Sequence, residues 1–313
     1  MDVERVGICG TDVQIHDGRI PVEYPRVLGH EIVGRVVVEG PRRLIALGTR
    51  VLVNPSVACG RCVQCRADRP NLCPRGALIG RDVDGGLAEQ LVIDELQLHP
   101  IPEGISPTAA ILLQVLGTCI HAVNGAGPVG PGPAAVIGLG VAGLLQMQLL
   151  RADGDRPVAG IGRSPEKRAL AARLGASRVG DPSQAQGIVD ELSDGGGAAL
   201  VVEAVGTVAT LAQAVHLCGP GGTIVAFGTI GGAATTERFP WYELYHKEIR
   251  LLFPRAALGR DYDAAIRLAA GRGIELEPLF TTSFPMREAG GAFELLATRS
   301  GVLKVAIDVA GSV

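Results

Sequence analysis

Four cysteines lie within a short stretch of the chain and could bind one metal ion together. They follow the spacing C-x2-C-x2-C-x7-C, at Cys59, Cys62, Cys65 and Cys73. Zinc accepts four thiolates in a closed tetrahedral shell that leaves no position for substrate, so the pattern favours a structural zinc. An iron–sulfur cluster is the competing interpretation, but the fourth cysteine is too remote in sequence for the ferredoxin pattern. The interleaved Arg61, Arg66 and Arg69 could offset the thiolate charge.

A second group of possible metal ligands precedes this loop. The segments GICGTD (7–12) and LGHEIVG (28–34) supply Cys9, His30 and Glu31. A thiolate, an imidazole and a carboxylate suit a catalytic zinc that keeps one position open for water or substrate. Taken singly, a cysteine is more often a buried apolar residue, and a histidine is more often a hydrogen-bonded structural one. The order of the two segments before a four-cysteine loop strengthens the metal interpretation.

Thr11 could take part in proton transfer at this second site. It lies two residues after Cys9, close enough for its hydroxyl to bond an oxygen held by the same metal. It would then be the first carrier of an alcohol proton. A turn threonine or a helix cap is an equal alternative.

A glycine-rich turn further along the chain could bind a dinucleotide. In PAAVIGLGVAGLLQMQLL (133–150), a short apolar strand runs into a G-x-G-x-x-G turn and then a helix. Glycines here allow a tight turn and let the backbone approach a pyrophosphate at the helix N-terminus. A second strand, VAGIG (158–162), follows at the expected interval. The turn residues expected to bind the cofactor are Gly138, Gly140, Val141, Ala142 and Gly143.

The end of that second strand indicates which cofactor is used. An NAD site usually presents an acidic residue to the ribose 2′-hydroxyl, whereas this chain has Gly162, Arg163 and Ser164. Glycine leaves room for a 2′-phosphate, and Arg163 could pair with it. Ser164 could add a donor, and Arg168 could add charge, although a helix residue of this kind often faces solvent. We therefore expect NADP(H) rather than NAD(H).

The composition excludes several other classes of function. The chain has 313 residues, 47% of them hydrophobic, and a net charge of -3 without a basic block. Neither nucleic acid nor an anionic membrane is an expected partner. There is no export signal and no apolar run of membrane-spanning length, so we expect a soluble, cytoplasmic protein. Seven cysteines in a reducing compartment also argue against a disulfide framework.

Alternating strands and helices must position the dinucleotide turn. After the first two strands, ALVVEAVG (199–206) and TIVAFGT (223–229) predict further strands, with a helix and a glycine turn between them. Cys218 is expected on the apolar face of that helix. The alternation predicts an α/β fold with a doubly wound parallel sheet.

The motifs, in this order, resemble a known family. CGTD, GHE, the four-cysteine lobe, DGGLAEQ (84–90) and GLGVAG resemble the zinc-dependent medium-chain alcohol dehydrogenases, most closely the sorbitol and threonine dehydrogenase branch. The resemblance implies a β-rich GroES-like catalytic domain from residues 1–117 and 254–313, with a structural zinc lobe at about 54–84. It also implies a Rossmann domain from residues 118–253.

The resemblance assigns roles to individual residues. Cys9 and His30 match the catalytic-zinc ligands, and Glu31 matches a neighbouring acid that ligates zinc in some members. Thr118 matches the family threonine beside the nicotinamide. Lys304, in the returning tail, matches a position that sometimes reaches the cofactor.

Three departures from the family pattern stand out. Gln114 occupies a place where relatives commonly have Glu, Asp or Cys, so it is expected to contact substrate, zinc-bound water or, weakly, the metal. Gln14 replaces a relay histidine, and His16 could substitute for it. Only eight residues precede Cys9, fewer than relatives usually have, so we expect either a catalytic domain shortened at its N-terminus or a recorded start that lies downstream of the original one.

The expected function is therefore a zinc-dependent oxidoreductase that transfers a hydride between NADP(H) and a secondary alcohol or its ketone, and the resemblance implies a polyol or cyclitol-like substrate. The alternative is a non-catalytic NADPH-binding scaffold or sensor stabilised by zinc, which the departures at Gln14 and Gln114 favour. A zinc-free reductase is disfavoured by CGTD and GHE. The segment HKEIRLLF (246–253) matches the Rossmann edge through which family members pair, so a homodimer or homotetramer is expected.

Overall fold

The chain forms two compact units in the computed structural model. The structure describes residues 1–152, 154–230, 238–298 and 301–309. The first unit comprises Met1–Thr118 and Ala256–Val313, and the second comprises Cys119–Arg255. No helix in these described ranges is long and apolar enough to cross a membrane.

The first unit is rich in β-structure. Its strands are β1 (Asp2–Ile8), β2 (Glu31–Arg35), β3 (Arg50–Val53), β4 (Ser56–Val57), β5 (Ala77–Leu78), β6 (Leu98–Pro100), β13 (Phe280–Pro285) and β14 (Lys304–Asp308). Six of them form one sheet in the order β13-β14-β1-β2-β3-β6, while β4 and β5 pair separately. The helices are α1 (Gly10–His16), α2 (Val63–Arg66), α3 (Pro107–Ala110), α10 (Gly259–Ala270) and α11 (Ala289–Thr298). A further helix, α4 (Leu113–Gly125), begins in this unit.

Strand β1 occupies the middle of the sheet because its apolar residues are buried there. It pairs antiparallel with β14 on one side and β2 on the other. Buried core side chains of this unit include Val3, Val6, Ile32, Val51, Val305 and Ile307. Gly7 faces Ala306 of β14 and Glu31 of β2. A Cβ atom at Gly7 would lie 2.1 Å from a carboxylate oxygen of Glu31, so the missing side chain makes room for that acid.

The second unit contains the parallel sheet that the sequence predicts. Its strands are β7 (Ala134–Ile137), β8 (Val158–Ile161), β9 (Arg178–Gly180), β10 (Ala198–Glu203), β11 (Cys218–Ala226) and β12 (Arg250–Leu252). Its helices are α5 (Val141–Ala152), α6 (Pro165–Arg173), α7 (Ala185–Ser193), α8 (Val208–Leu217) and α9 (Trp241–His246). The order is β12-β11-β10-β7-β8-β9, with every neighbouring pair parallel. The doubly wound fold is thus confirmed.

This strand order defines where a ligand is expected to bind. The chain runs from β7 outward to β8 and β9, then returns to β10 on the other side of β7. In open parallel sheets, ligands bind beyond the carboxyl ends of the strands at such a reversal point. The glycine-rich turn follows β7, so it lies at that position.

One local prediction is wrong. The sequence places Cys218 on a helix, but α8 ends at Leu217 and Cys218 opens β11. The following Gly219 packs tightly against a neighbouring loop, because a Cβ atom there would lie 2.2 Å from the carbonyl oxygen of Gly196. Cys218 pairs with Ala198 at the start of β10. The glycine-rich segment therefore extends into the sheet instead of closing the helix with a turn.

Candidate functional site

The four cysteines of the lobe lie around a common centre. Cys62 caps α2, and its sulfur accepts from the Cys65 amide. The sulfur of Cys62 lies 3.4 Å from that of Cys65 and 3.8 Å from that of Cys73, while Cys59 and Cys65 sulfurs are 4.0 Å apart. Two sulfurs that each lie about 2.3 Å from a tetrahedral zinc are about 3.8 Å apart. The cluster therefore fits a zinc ion held by four thiolates.

An arginine that the sequence analysis missed contacts this cluster. The Arg75 guanidinium donates to the Cys59 sulfur at 3.1 Å. The Arg61 backbone amide and the Arg75 side chain together lower the pKa of Cys59 to about 5. Arg66, one of the arginines predicted from the sequence, instead donates to the Arg61 carbonyl. Arg75 lies two residues beyond the last cysteine, so only the folded loop brings it to the sulfurs.

The second predicted ligand group is also brought together in the first unit. Cys9 caps the N-terminus of α1, and Glu31 begins β2 directly after His30. One ligand atom from each of these three residues lies within 4.8 Å of the other two. Cys9 is partly exposed, whereas His30 and Glu31 are buried. A thiolate, an imidazole and a carboxylate so placed could hold a zinc ion with an open coordination position.

Asp12 organises this group, although its role was not identified from the sequence. Its side chain is fully buried. One carboxylate oxygen accepts from the Cys9 amide at 2.9 Å. The other accepts from the Gly29 amide at 3.2 Å and lies 3.3 Å from Nδ1 of His30. Nε2 of His30 is therefore the ring nitrogen left for a metal, an arrangement common at histidine-ligated zinc.

Asp12 and His30 stabilise each other's charged forms. Burial disfavours the Asp12 carboxylate, but His30 and the two backbone amides outweigh burial and hold the Asp12 pKa below its usual value. Burial likewise disfavours a charged His30, yet Asp12 raises its pKa well above the usual value. A metal bound by His30 must replace a proton there. The position of Asp12, three residues after a helix cap, is the sequence signal that could have identified it.

Glu31 is held by a second buried charge. The Lys304 ammonium lies 2.7 and 2.6 Å from the two carboxylate oxygens of Glu31 and 3.4 Å from the Ile8 carbonyl oxygen. Lys304 is 4% exposed. The family resemblance implies a position for Lys304 that sometimes reaches the cofactor, and in the structure Lys304 pairs with Glu31. It reaches Glu31 from β14 across β1, where Gly7 leaves the space.

The other polar residues predicted near the metal occupy different positions. The Thr11 hydroxyl lies 3.9 Å from the Cys9 sulfur. The His16 ring stacks on Phe293 with centroids 4.9 Å apart, and its side chain is 59% exposed. His16 is thus on the surface and is not one of the three gathered ligands. Gln114 is buried on α4, at 6% exposure.

In the second unit, the glycines of the dinucleotide turn differ in the space around the position that a Cβ atom would occupy. Gly138 has φ of 98°, and a Cβ atom there would lie 2.6 Å from the Val205 side chain. A Cβ atom at Gly143 would lie 1.8 Å from the Gly138 carbonyl oxygen. Gly140 faces open space, with nothing within 4 Å of its Cβ position. Val141 and Ala142 begin α5. The turn is therefore tightly packed on one side and accessible at Gly140.

Some side chains that follow β8 bond within the protein, and one is available to bind a ligand. The Arg168 guanidinium donates to the carbonyl oxygens of Gly162 and Arg163, both at 2.8 Å. Ser164 caps α6 by accepting from the Lys167 amide and donates to Glu166. The Arg163 side chain is exposed and has no hydrogen-bond or ion-pair partner within the described ranges. Arg163 is therefore the side chain here that is available to an anionic ligand.

Glu203 is a further buried acid whose contacts the sequence alone does not reveal. It ends β10 and is fully buried. One carboxylate oxygen accepts from the amides of Val205 and Gly206, at 2.8 and 2.9 Å, and from the Thr210 hydroxyl at 2.8 Å. This holds the loop whose Val205 packs on Gly138. An acidic residue at the end of an apolar strand is the signal that could have identified it.

Thr118 lies on α4, at the end of the first unit's N-terminal segment. Its hydroxyl donates to the Val115 carbonyl oxygen at 2.7 Å. This bond fixes the side chain along the helix and leaves the hydroxyl oxygen as an acceptor.

Comparisons with known proteins match both halves of the chain. The model of the alcohol dehydrogenase GroES-like domain matches residues 1–103, and that of the zinc-binding dehydrogenases matches residues 141–271. The chain belongs to the zinc-dependent medium-chain alcohol dehydrogenases. The GroES-like and Rossmann folds expected from the sequence are therefore confirmed. The expected enzyme class, an NAD(P)-dependent alcohol dehydrogenase, is confirmed as well.

Individual members of this family cover nearly all of the chain. L-galactonate-5-dehydrogenase of Escherichia coli K12 is 32% identical over 93% of this chain and 86% of its own. A zinc-binding dehydrogenase structure from Sinorhizobium meliloti 1021, bound to NADP, has a TM-score of 0.89 at 33% identity, covering 98% and 91% of the two chains. An alcohol dehydrogenase structure from Escherichia coli CFT073 with NADH has a TM-score of 0.88 at 26% identity, covering 98% and 90%.

The position of Asp12 generates a prediction about metal affinity. In the variant Asp12→Asn, we expect the zinc affinity of the Cys9–His30 site to fall by about 10- to 100-fold, because the carboxylate no longer orients His30. Chelator competition measures this affinity while the four-cysteine site remains loaded. Asp17→Asn is the matched control, since Asp17 is exposed at the other end of α1. Equal affinity in Asp12→Asn and the native protein would contradict the role given to Asp12.

Proposed function

We propose that this dehydrogenase uses zinc and NADP(H) to interconvert a secondary alcohol, polyol or cyclitol-like, with its ketone. The observation that carries the proposal is the gathering of Cys9, His30 and Glu31 within 4.8 Å in a chain that also has an accessible dinucleotide turn. A purely structural metal site has no need of an open position, which three ligands leave and four cysteines do not.

The proposed roles follow from the contacts of each side chain. Cys9 and His30 would hold the catalytic zinc, and Glu31, already paired with Lys304, would adjust its coordination. When bound, zinc would supply Lewis acidity to the alcohol oxygen. Thr11, whose hydroxyl lies beside the Cys9 sulfur, would accept the alcohol proton first. A second, structural zinc would occupy the four-cysteine cluster, giving two zinc ions per chain.

The substrate class has support from one named relative. L-galactonate-5-dehydrogenase, by its name, acts on a polyhydroxylated acid. A substrate with several hydroxyl groups needs several hydrogen-bonding partners, and the buried polar residue Gln114 on α4 is one candidate. Either direction of the reaction is compatible with this assignment.

The preference for NADP(H) rests on Arg163. Its guanidinium is exposed and available, and Gly162 beside it carries no acidic group to repel a 2′-phosphate. The similar structure from Sinorhizobium meliloti contains NADP, which supports the proposal, whereas the one from Escherichia coli CFT073 contains NADH. Gly138, Gly140, Gly143 and the start of α5 would receive the pyrophosphate, and Thr118 would lie near the nicotinamide.

We further propose that the protein is a homodimer or homotetramer in which β12 pairs with a second copy. Strand β12 forms one edge of the parallel sheet, with β11 as its neighbour. Large apolar side chains that shortly precede or follow β12 in the sequence are between 58 and 79% exposed, namely Trp241, Tyr242, Tyr245 and Phe253. An edge strand with unpaired backbone groups beside exposed aromatic rings suits pairing with a second chain.

The catalytic-zinc assignment predicts a specific loss in Cys9→Ser. We expect the zinc content to fall from two to one per chain and alcohol oxidation to fall by about two orders of magnitude or more. Metal analysis and steady-state kinetics measure the two effects. The comparison variant Cys62→Ser should instead release the lobe zinc and lower thermal stability. One zinc per native chain would favour the non-catalytic scaffold, whereas an unchanged rate in Cys9→Ser would contradict the role given to Cys9.

The cofactor assignment predicts a selective effect of Arg163→Ala. We expect kcat/KM for NADP to fall by about 10- to 100-fold, the cost of one charge-assisted pair, while kcat/KM for NAD changes by less than about twofold. Arg173→Ala is the matched control, because Arg173 is an exposed arginine at the far end of α6, the helix that begins just after Arg163. A higher kcat/KM with NAD than with NADP in the native enzyme would contradict the preference.

A further inference from the structure

Arg75 is a charged residue that contacts the four-cysteine cluster without being one of its ligands. It lies two residues beyond Cys73 and is exposed. Its guanidinium donates to the Cys59 sulfur, with 3.1 Å between Nη2 and Sγ. The proposed function places a zinc ion in the cluster and gives no task to this arginine.

The pairing of β4 with β5 places Arg75 beside Cys59. Val57 faces Ala77 in this antiparallel pair. Continued for two residues, the same register brings Cys59 opposite Arg75. A Cβ atom at Gly76 would lie 3.2 Å from the Val57 carbonyl oxygen, so a glycine lets the two segments approach closely. The contact therefore follows from the pairing of the backbone, although the arginine side chain itself is exposed.

The sulfurs of the cluster differ in the donors that reach them. The Cys62 sulfur accepts from the Cys65 amide, and the Cys73 sulfur accepts from the Cys59 amide, both at 3.5 Å. The Cys59 sulfur accepts from the guanidinium of Arg75, which carries a full positive charge. Four thiolates around one Zn²⁺ leave an excess of negative charge. A charged donor offsets this excess better than a neutral amide does, because charge-assisted hydrogen bonds are the stronger ones.

Cys59 is also the ligand that the local backbone holds least. Cys62 caps α2 and Cys65 lies within that helix, whereas Cys59 lies in an irregular segment before it and is partly exposed. The sulfurs of Cys59 and Cys65 are 4.0 Å apart, farther than the 3.4 and 3.8 Å that separate Cys62 from Cys65 and Cys73. A ligand on an irregular segment opens more easily than one held by a helix.

We propose that Arg75 is a positioning residue that keeps the Cys59 sulfur in the metal shell, so that the cysteine lobe loses its zinc ion slowly. This inference rests on the structural zinc of the proposed function. Replacing a group that hydrogen-bonds a metal ligand typically lowers metal affinity by about 10- to 100-fold. Because Arg75 is exposed and water screens its charge, we expect an effect at the lower end of this range.

The test compares zinc release from the full chain in Arg75→Met and Arg66→Met. Arg66 is the matched control, because it lies in the same lobe and donates to the Arg61 carbonyl oxygen instead of a sulfur. Zinc transfer to a chromophoric chelator measures release, and the phase that is absent from Cys62→Ser identifies the lobe ion. We expect this phase to be about tenfold faster in Arg75→Met and to stay within about twofold of the native rate in Arg66→Met.

The outcomes separate the contact from the charge and from the metal site itself. An unchanged phase in Arg75→Met would overturn the inference. Equal acceleration in Arg75→Met and Arg66→Met would overturn it too, because the loss of charge alone would then explain the effect. Identical release from the native protein and Cys62→Ser would overturn the structural zinc of the proposed function, and this inference with it.

A spectroscopic measurement tests the same contact without zinc release. In the cadmium-substituted protein, the cadmium NMR resonance that is absent from Cys62→Ser reports on the four-sulfur site. Arg75→Met should shift this resonance, because the hydrogen bond withdraws electron density from one of the four sulfurs, whereas Arg66→Met should leave it in place. A resonance that Arg75→Met does not move would overturn the inference while leaving the metal site intact.

Discussion

The candidate metal site depends on one buried carboxylate, that of Asp12. It joins the start of α1 to the loop before β2 by bonding the amides of Cys9 and Gly29, and it faces His30. Without this carboxylate, the Cys9 amide at the helix end and the His30 ring would both lose their buried partner. A local helix-capping interaction thereby fixes Cys9 and His30, two candidate metal ligands that are far apart in sequence.

The Glu31–Lys304 pair shows how the sheet supports this site. Desolvating a buried ion pair costs free energy. Removing one partner strongly destabilises the folded protein, because the other charge is then buried and unpaired. The pair spans β14, β1 and β2, and it fits only because Gly7 carries no side chain. One structural unit is thus formed by Gly7, Glu31 and Lys304.

The sequence predicts the local features well and the long-range ones poorly. The spacing of the four cysteines and the glycines of the turn is meaningful within a few residues, so the α/β fold and both ligand groups could be predicted. Lys304 is 273 positions from Glu31, and no local pattern links them. Cys218 was misplaced because a helix end and a strand start share the same apolar residues.

We propose that the group supported by Asp12 holds a metal distinct from that of the cysteine lobe. Anomalous diffraction at the zinc absorption edge, from crystals of the protein purified without chelators, tests it most directly. We expect two peaks per chain, one among the sulfurs of the four-cysteine cluster and one adjoining Cys9 and His30. A single peak, confined to the four cysteines, would contradict it.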